Sequence, residues 1–264
     1  MEDNPWLSRT NLLIGNQNTI LLKNASVCIA GLGGVGSYAA ESIARAGVGK
    51  LTLIDGDVVD PSNRNRQLPA LISTQGQFKT RVIKNRLLDI NPDLEITVLP
   101  EFLLPENIDA LVQNGKFDYI VDAIDGISPK CSLIAAAKKY EVPVVSSMGA
   151  GGKLDPSRIQ IADISRTNNC YLASVLRKRL RKMGISQGVR TVFSDEKVLD
   201  ESLMVTDGTH FKKSAYGTIS YLPAIFGMFI ASVVVCDLIG WKTKALFPGR
   251  ESGFYSKPQD IIRP

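Results

Sequence analysis

The chain has 264 residues, 44% of them hydrophobic and 22% charged, with a net charge of +5. That is enough apolar material for one large core or two small ones, and the mildly basic balance permits an anionic partner without requiring one. Four cysteines with no C-x-x-C pair argue against a disulfide framework or a four-cysteine zinc site, and read as reduced thiols serving mostly as small apolar residues.

The first residues carry neither a basic region nor an apolar run, so no secretory signal is expected. Residues 6–22 place Leu7, Leu12, Leu13, Ile20 and Leu21 at near-helical spacing broken at Gly15, which predicts a short helix ahead of the first strand. Arg9 has no acidic neighbour after Asp3 and reads by default as a solvated arginine.

Residues 27–29 form a β-branched apolar run, a buried parallel strand, followed at once by Gly31, Gly33 and Gly36 and then a helix over 37–45. In such a unit one glycine makes the turn, one lets backbone N–H groups reach a phosphate, and one lets helix pack close to strand. The helix N-terminus adds unpaired donors and a partial positive charge. A second strand, 51–54, ends in Asp55, about twenty residues beyond the glycines, where a Rossmann unit sets a carboxylate on a ribose hydroxyl. A nucleotide site is expected. Three glycines alone also suit a ligand-free turn, but that reading leaves Asp55 unexplained.

Pro61 and the Ser/Asn cluster mark 56–67 as a loop, carrying Arg64 and Arg66 on the ligand side of the sheet. Next come a helix over 76–90 containing Lys79, Arg81, Lys84 and Arg86, a strand over 94–99 and a helix over 105–113. A strand over 119–125 then ends in Asp125, followed by a helix over 129–140, a strand over 142–146 and the glycine run 149–152. The alternation predicts an α/β fold: a Rossmann-like, doubly wound, mostly parallel sheet.

From Lys153 the pattern changes. Residues 159–164 alternate as a strand and 172–183 read as a helix. Between Asp163 and Asp195 there is no acid, yet Arg166, Arg177, Lys178, Arg179, Arg181, Lys182 and Arg190 fall there. The run is either a solvated face or a polyanion surface, and the sequence leaves both open. The apolar stretch 219–241 approaches membrane-span length, but Ser220, Pro223, Gly227, Ser232 and Asp237 interrupt it. It reads as a helix buried in a core or a subunit interface, and no stable membrane association is expected.

A dehydrogenase has no need of a cationic cluster able to offset a triphosphate. Arg66, Lys79 and Arg64 following Asp55, with Asp125 able to hold Mg²⁺ through phosphate oxygens and water, suit ATP better than NAD. Unrelated surface charges are the competing account.

Five motifs in order carry a resemblance. The residues 31–36, Leu53-Ile54-Asp55-Gly56-Asp57, Ser62-Asn63-Arg64-Asn65-Arg66-Gln67, Gly76-Gln77-Phe78-Lys79 and Ala123-Ile124-Asp125 resemble the adenylating ThiF/MoeB/HesA superfamily, bacterial relatives of ubiquitin-activating enzymes. The likeness covers 8–152. It implies that Gly31, Gly33, Gly34 and Gly36 line the nucleotide and Asp55 holds the ribose. It implies that Asn63, Arg66 and Lys79 contact the phosphates, while Asp125 supports Mg²⁺. Ser8-Arg9-Thr10 resembles a family segment whose arginine reaches the partner subunit's ATP site, implying a homodimer with Arg9 acting in trans. Trp6 stands where the family has a second arginine.

Sulfur-carrier activators of this superfamily often carry C-x-x-C pairs and adenylate a protein's C-terminal glycine, which is the alternative function. The residues 149–156 and 159–164, the basic helix and Asp207-Gly208-Thr209 resemble instead the branch that dehydrates threonylcarbamoyladenosine in tRNA. That branch implies a cytoplasmic enzyme using ATP and Mg²⁺ on tRNA, with a sulfur-handling protein as an optional partner. Some relatives carry a cysteine near position 214; this chain has Ser214. His210, the only histidine, reads as a surface-loop residue. The expected organisation is one ThiF-type domain with an N-terminal helical segment (1–24), a nucleotide-binding half (25–152), and a substrate-binding and dimerisation half (153–264).

Overall fold

In the computed structural model, which describes residues 5–205 and 214–241, α1 (Ser8–Ile14) and α2 (Asn16–Asn24) precede the sheet and part at Gly15. The alternation then runs β1 (Ser26–Ala30), α3 (Gly36–Arg45), β2 (Lys50–Ile54), α4 (Lys79–Ile90), β3 (Glu95–Leu99), α5 (Pro105–Asn114), β4 (Tyr119–Asp122), α6 (Ile127–Lys139) and β5 (Val144–Ser147). The second half adds β6 (Ile159–Asp163), α7 (Tyr171–Lys182), β7 (Arg190–Ser194), the strands β8 (Leu203–Val205) and β9 (Ser214–Tyr216), and α8 (Tyr221–Leu238). The Asp207–Thr209 segment and His210 lie outside the described residues.

The sheet has seven strands in the order β3-β2-β1-β4-β5-β7-β6, parallel except where β6 runs antiparallel to β7. Both faces are covered, which is why the central strands read as unbroken apolar runs. Along β1, Val27 and Ile29 enter the layer beneath α3, α4 and α8, while Cys28 and Ala30 enter the layer beneath α5 and α6. A third apolar cluster joins α6 to α7 through Ile134, Ala173, Leu176 and Leu180.

The stretch 219–241 becomes α8, which packs on α3 and on the sheet through Leu222, Phe226, Ile230, Val233 and Val234. By length and composition it is apolar enough to cross a membrane, but half of it is buried inside the fold. Gly227 permits the crossing, since a Cβ there would sit 2.9 Å from that of Tyr38.

Two boundaries beside the cleft and one whole strand differ most from expectation. α4 begins at Lys79, not Gly76, because 76–78 pair with 58–59: Gly76 N–H donates to Val59 O at 2.9 Å and Val59 N–H to Gln77 O at 2.8 Å. β4 stops at Asp122, so Asp125 lies in the following loop rather than at a strand end. β7, between β5 and β6, has no counterpart in the sequence reading.

Candidate active site

A cleft of about 320 Å³ opens at the carboxyl ends of β1, β2, β4 and β5, where open α/β sheets bind ligands. Gly31 sits at φ +91°, and its N–H donates to Ile54 O at 2.8 Å, tying the end of β1 to β2. A Cβ at Gly36 would overlap the Gly31 carbonyl oxygen, so these two glycines serve the fold. Gly33 differs: nothing lies closer than 3.7 Å to a Cβ built there, and its φ is ordinary. Its bareness leaves room in the cleft instead. The N–H groups of Gly33, Gly34 and Val35 have no acceptor among the described residues, which is what an anion cradle at the start of α3 needs.

Asp55 lies at the cleft floor. Its Oδ2 accepts from Leu32 N–H at 2.6 Å and its Oδ1 from Asp57 N–H at 2.8 Å. Burial holds its carboxyl above the usual carboxylate value, opposed by the charge of Lys79 and by those two hydrogen bonds. Lys79, the first residue of α4, has a side chain only 4% exposed and pairs with Asp57 Oδ2 at 2.7 Å. Sequence reasoning assigned no role to Asp57.

The 61–67 loop is shaped by Asp60, which accepts from Ser62 N–H and Oγ at 2.8 and 2.6 Å. Asn63 Oδ1 accepts in turn from Asp60 N–H at 3.3 Å, so this side chain helps to close the turn while lining the cleft. Arg66 Nη1 donates to Ser62 O at 3.0 Å and to Asn65 Oδ1 at 2.7 Å. Burial lowers the pKa of its guanidinium, and the nearby charge of Asp125 opposes that shift. Arg64 is exposed, with Nε donating to Pro61 O, and does not line the cleft.

Asp125 is exposed at the cleft rim. Beneath its loop lies a fully buried ion pair that sequence reasoning missed, Lys130 Nζ to Asp122 Oδ2 at 2.9 Å. Asp122 also accepts from Ser146 Oγ at 2.6 Å and Ile124 N–H at 3.2 Å, and Lys130 donates to Ile124 O at 2.9 Å. The pair therefore holds the Ile124 peptide from both sides, one residue before Asp125.

The cleft thus joins Gly31, Gly33, Gly34, Asp55, Asn63, Arg66, Lys79 and Asp125. Gly36 stands just behind them, and Arg9, exposed on α1, lies outside its own chain's cleft. The model of the ThiF family matches residues 7–250. The chain belongs to the ThiF family. Within it, the chain is similar to a Bacillus subtilis tRNA threonylcarbamoyladenosine dehydratase, 43% identical over 88% of this chain and 94% of the relative. Solved structures of the E. coli tRNA N6-threonylcarbamoyladenosine dehydratase with ATP and with AMP each superpose with a TM-score of 0.81 at 35% identity, over 90% of this chain and 97% of theirs.

The second wall of the cleft in this ThiF-family chain comes from Ser147 to Gly151, Leu172, Thr218 and Pro223. α7 starts at that wall and leads away from it. The structure corrects the uniform basic run: Arg177 Nη1 donates to Thr167 O at 2.9 Å, and Arg190 pairs with Asp237, so both serve the fold. Arg166, Lys178, Arg179, Arg181 and Lys182 are exposed, with no salt bridge to an acid among the described residues. Burial pushes the Cys28 thiol up to about 12 and holds the Cys131 and Cys236 thiols above their ordinary value, leaving these three protonated.

Proposed function

We propose that this chain is an ATP-dependent dehydratase that cyclises threonylcarbamoyladenosine in tRNA through a carboxyl adenylate. The observation that carries the reading is the gathering of Arg66, Lys79 and Asp125 around the Gly33–Gly34 cradle, in a chain alike along nearly its whole length to dehydratases of that substrate. A carboxylate resists attack because it has no adequate leaving group. Transfer of AMP to the threonyl carboxylate supplies one, with pyrophosphate released. The neighbouring carbamoyl group then closes the ring and expels AMP, for a net loss of water.

This chain's residues position and neutralise. Asp55 holds the ribose, and the N–H groups of 33–35 with Arg66 and Lys79 take the phosphate charge. Lys79 leaves Asp57 to do so, which its place at the start of α4 permits. Asp125 is the one group we assign to Mg²⁺. No cluster of three acidic, histidine or cysteine ligands exists among the described residues, and an exposed carboxylate beside a phosphate site suits an ion held mostly by phosphate oxygens and water. Bound there, Mg²⁺ supplies further charge neutralisation.

Two surfaces support the partners. Lys178 to Lys182 lie about 9–15 Å along α7 from Leu172 at the cleft, at about 1.5 Å per residue, a reach that suits RNA whose modified base enters the cleft. Leu12 and Leu13 on α1 are 84% and 81% exposed, and Ile20, Leu21 and Met228 are exposed beside them in sequence or on α8. These apolar groups support a homodimer in which Arg9 completes the partner's site, with the 153–264 half serving substrate and dimer contacts. A tRNA substrate is what supports a cytoplasmic location.

The test is nucleoside mass spectrometry on threonylcarbamoyl-modified tRNA incubated with enzyme, ATP and Mg²⁺. Loss of one water from the modified adenosine, reduced at least about a hundredfold in Lys79→Ala or Arg66→Ala, is the expected result. No mass change, with pyrophosphate exchange only on adding a carrier protein ending in Gly-Gly, moves the chain to the sulfur-carrier activators.

A further inference from the structure

One side chain ties the phosphate loop to the second half of the molecule. Asn65 Nδ2 donates to the Thr218 carbonyl oxygen at 2.9 Å, across 153 positions of sequence, and Asn65 Oδ1 accepts from Arg66 Nη1 at 2.7 Å. A guanidinium only donates and a carbonyl only accepts, so both contacts demand the same orientation of the amide. Arg66 Nη1 has two acceptors, this amide and the Ser62 carbonyl. Asn65 therefore supplies one of the two hydrogen bonds that orient that nitrogen among the described residues.

The other end of the tie is equally well anchored. Thr218 itself lines the cleft. Its neighbour Gly217 accepts from Gly152 N–H and donates to Ser202 O, each at 2.8 Å. Gly151 lines the same wall, with no room for a Cβ, which would lie 2.8 Å from that of Tyr216. A group seated against the 149–151 wall thus presses on a segment joined to Arg66 through a single amide.

We propose that Asn65 is a positioning residue that couples Arg66 to occupancy of the 149–151 and 216–218 wall, so that a substrate seated there tightens the hold on the nucleotide phosphates. The coupling to RNA rests on the dehydratase reading; the action of Asn65 through Arg66 does not. The coupling makes adenylation wait for the acceptor: ATP is gripped in its reactive pose only when a carboxylate is present to receive AMP.

The experiment measures binding of an ATP analogue with a carbon bridge between the α- and β-phosphates, which prevents turnover. In the first part, Asn65→Ala is made in the wild-type and Arg66→Ala backgrounds. The expected loss of affinity is about fivefold in the first and under about twofold in the second, the size of one hydrogen bond to a charged group acting through Arg66. Equal losses in both backgrounds overturn the positioning role. In the second part, saturating threonylcarbamoyl-modified tRNA is added. Wild type should tighten on the analogue by about fivefold or more, and Asn65→Ala should not. Asn65→Asp, which keeps the acceptor for Arg66 but sets a carboxylate against the Thr218 carbonyl, should bind the analogue well and also lose the gain. Tightening retained in both variants, or absent in wild type that binds the RNA, overturns the coupling. Wild type that fails to bind the RNA overturns the dehydratase reading, while the first part still decides on Asn65.

Discussion

The two ends of the sheet both carry buried or half-buried charge, and they use it differently. At the amino end, Asp237 of α8 accepts from Tyr119 Oη at 2.7 Å and pairs with Arg190, locking α8 to β4 and β7. One acid meets two donors. At the carboxyl end, three successive N–H groups lack acceptors among the described residues, burial raises the pKa of Asp55, and Arg66 and Lys79 are anchored by groups they can share or leave. A ligand site is marked by capacity left over, not by charge as such. The same distinction separates Arg177, which is used up, from Lys178 and Arg181, which are not.

The glycine turn gives the largest contrast. Gly36→Ala should fail to yield folded protein, because its Cβ would overlap the Gly31 carbonyl, whereas Gly33→Ala should fold with a near-wild-type unfolding midpoint. ATP affinity of Gly33→Ala should fall by about tenfold or more, equivalent to roughly 1.4 kcal/mol. Loss of fold in both would erase the distinction between glycines that serve the backbone and the one that serves the ligand.

Next in size is the buried pair under the Asp125 loop. Lys130→Met leaves Asp122 as an unpaired buried acid and should cost about 3–5 kcal/mol in denaturant unfolding. The double variant Lys130→Met, Asp122→Asn should recover more than half of that, because the cost lies in the orphaned charge. At the amino end, Asp237→Asn should cost about 1 kcal/mol, since both charged partners are partly exposed, with ATP affinity unchanged. An ATP effect there would break the separation of the two ends.

The smallest effects are in pH. Glu41 on α3 is pushed up by burial, but hydrogen bonds from Arg86 and Arg45 outweigh this and hold it below the ordinary value. Its stabilisation is present at neutral pH and lost as the pH falls through that lowered value. Asp55 has the opposite sign: its raised value means that ionisation costs stability as the pH rises through it. Glu41→Gln should therefore lower stability at neutral pH and flatten the acid limb, while Asp55→Asn should abolish the decline with rising pH but carry a pH-independent cost of about 1–3 kcal/mol, because its amide nitrogen faces one of the two N–H donors that the carboxylate accepts from. Unfolding free energies between about pH 3 and 7 compare the two.

The nucleotide half was legible because its signals are local. The glycine frame, the apolar run before it and Asp55 all lie within one βαβ unit, and their places in and around the cleft follow from backbone geometry. The position of Asp125 was found from its motif, although the strand had already ended at Asp122. Asp57, Asn65 and Lys130 escaped because each is defined by a partner brought in by the fold, at separations of 22, 153 and 8 residues for Lys79, Thr218 and the Asp122 backbone. β7 escaped for the same reason, since five residues with one charge at their head show no periodicity to tell a central strand from a loop. Counting bases in 166–190 found the charge but not that Arg177 and Arg190 were already engaged.

The place of β7 bears on how the protein is made. It enters the sheet between β5 and β6 although it follows both in the chain. On the ribosome, β5 therefore keeps an open edge, and β6 has no neighbour to join, until residue 194 has emerged. At roughly 5–20 residues per second that wait lasts about two to nine seconds. During it the nascent chain exposes an apolar strand edge, the kind of surface that chaperones cover. A message cut short between codons 148 and 189 would yield a fragment prone to aggregate, even though every nucleotide-binding motif has already been translated.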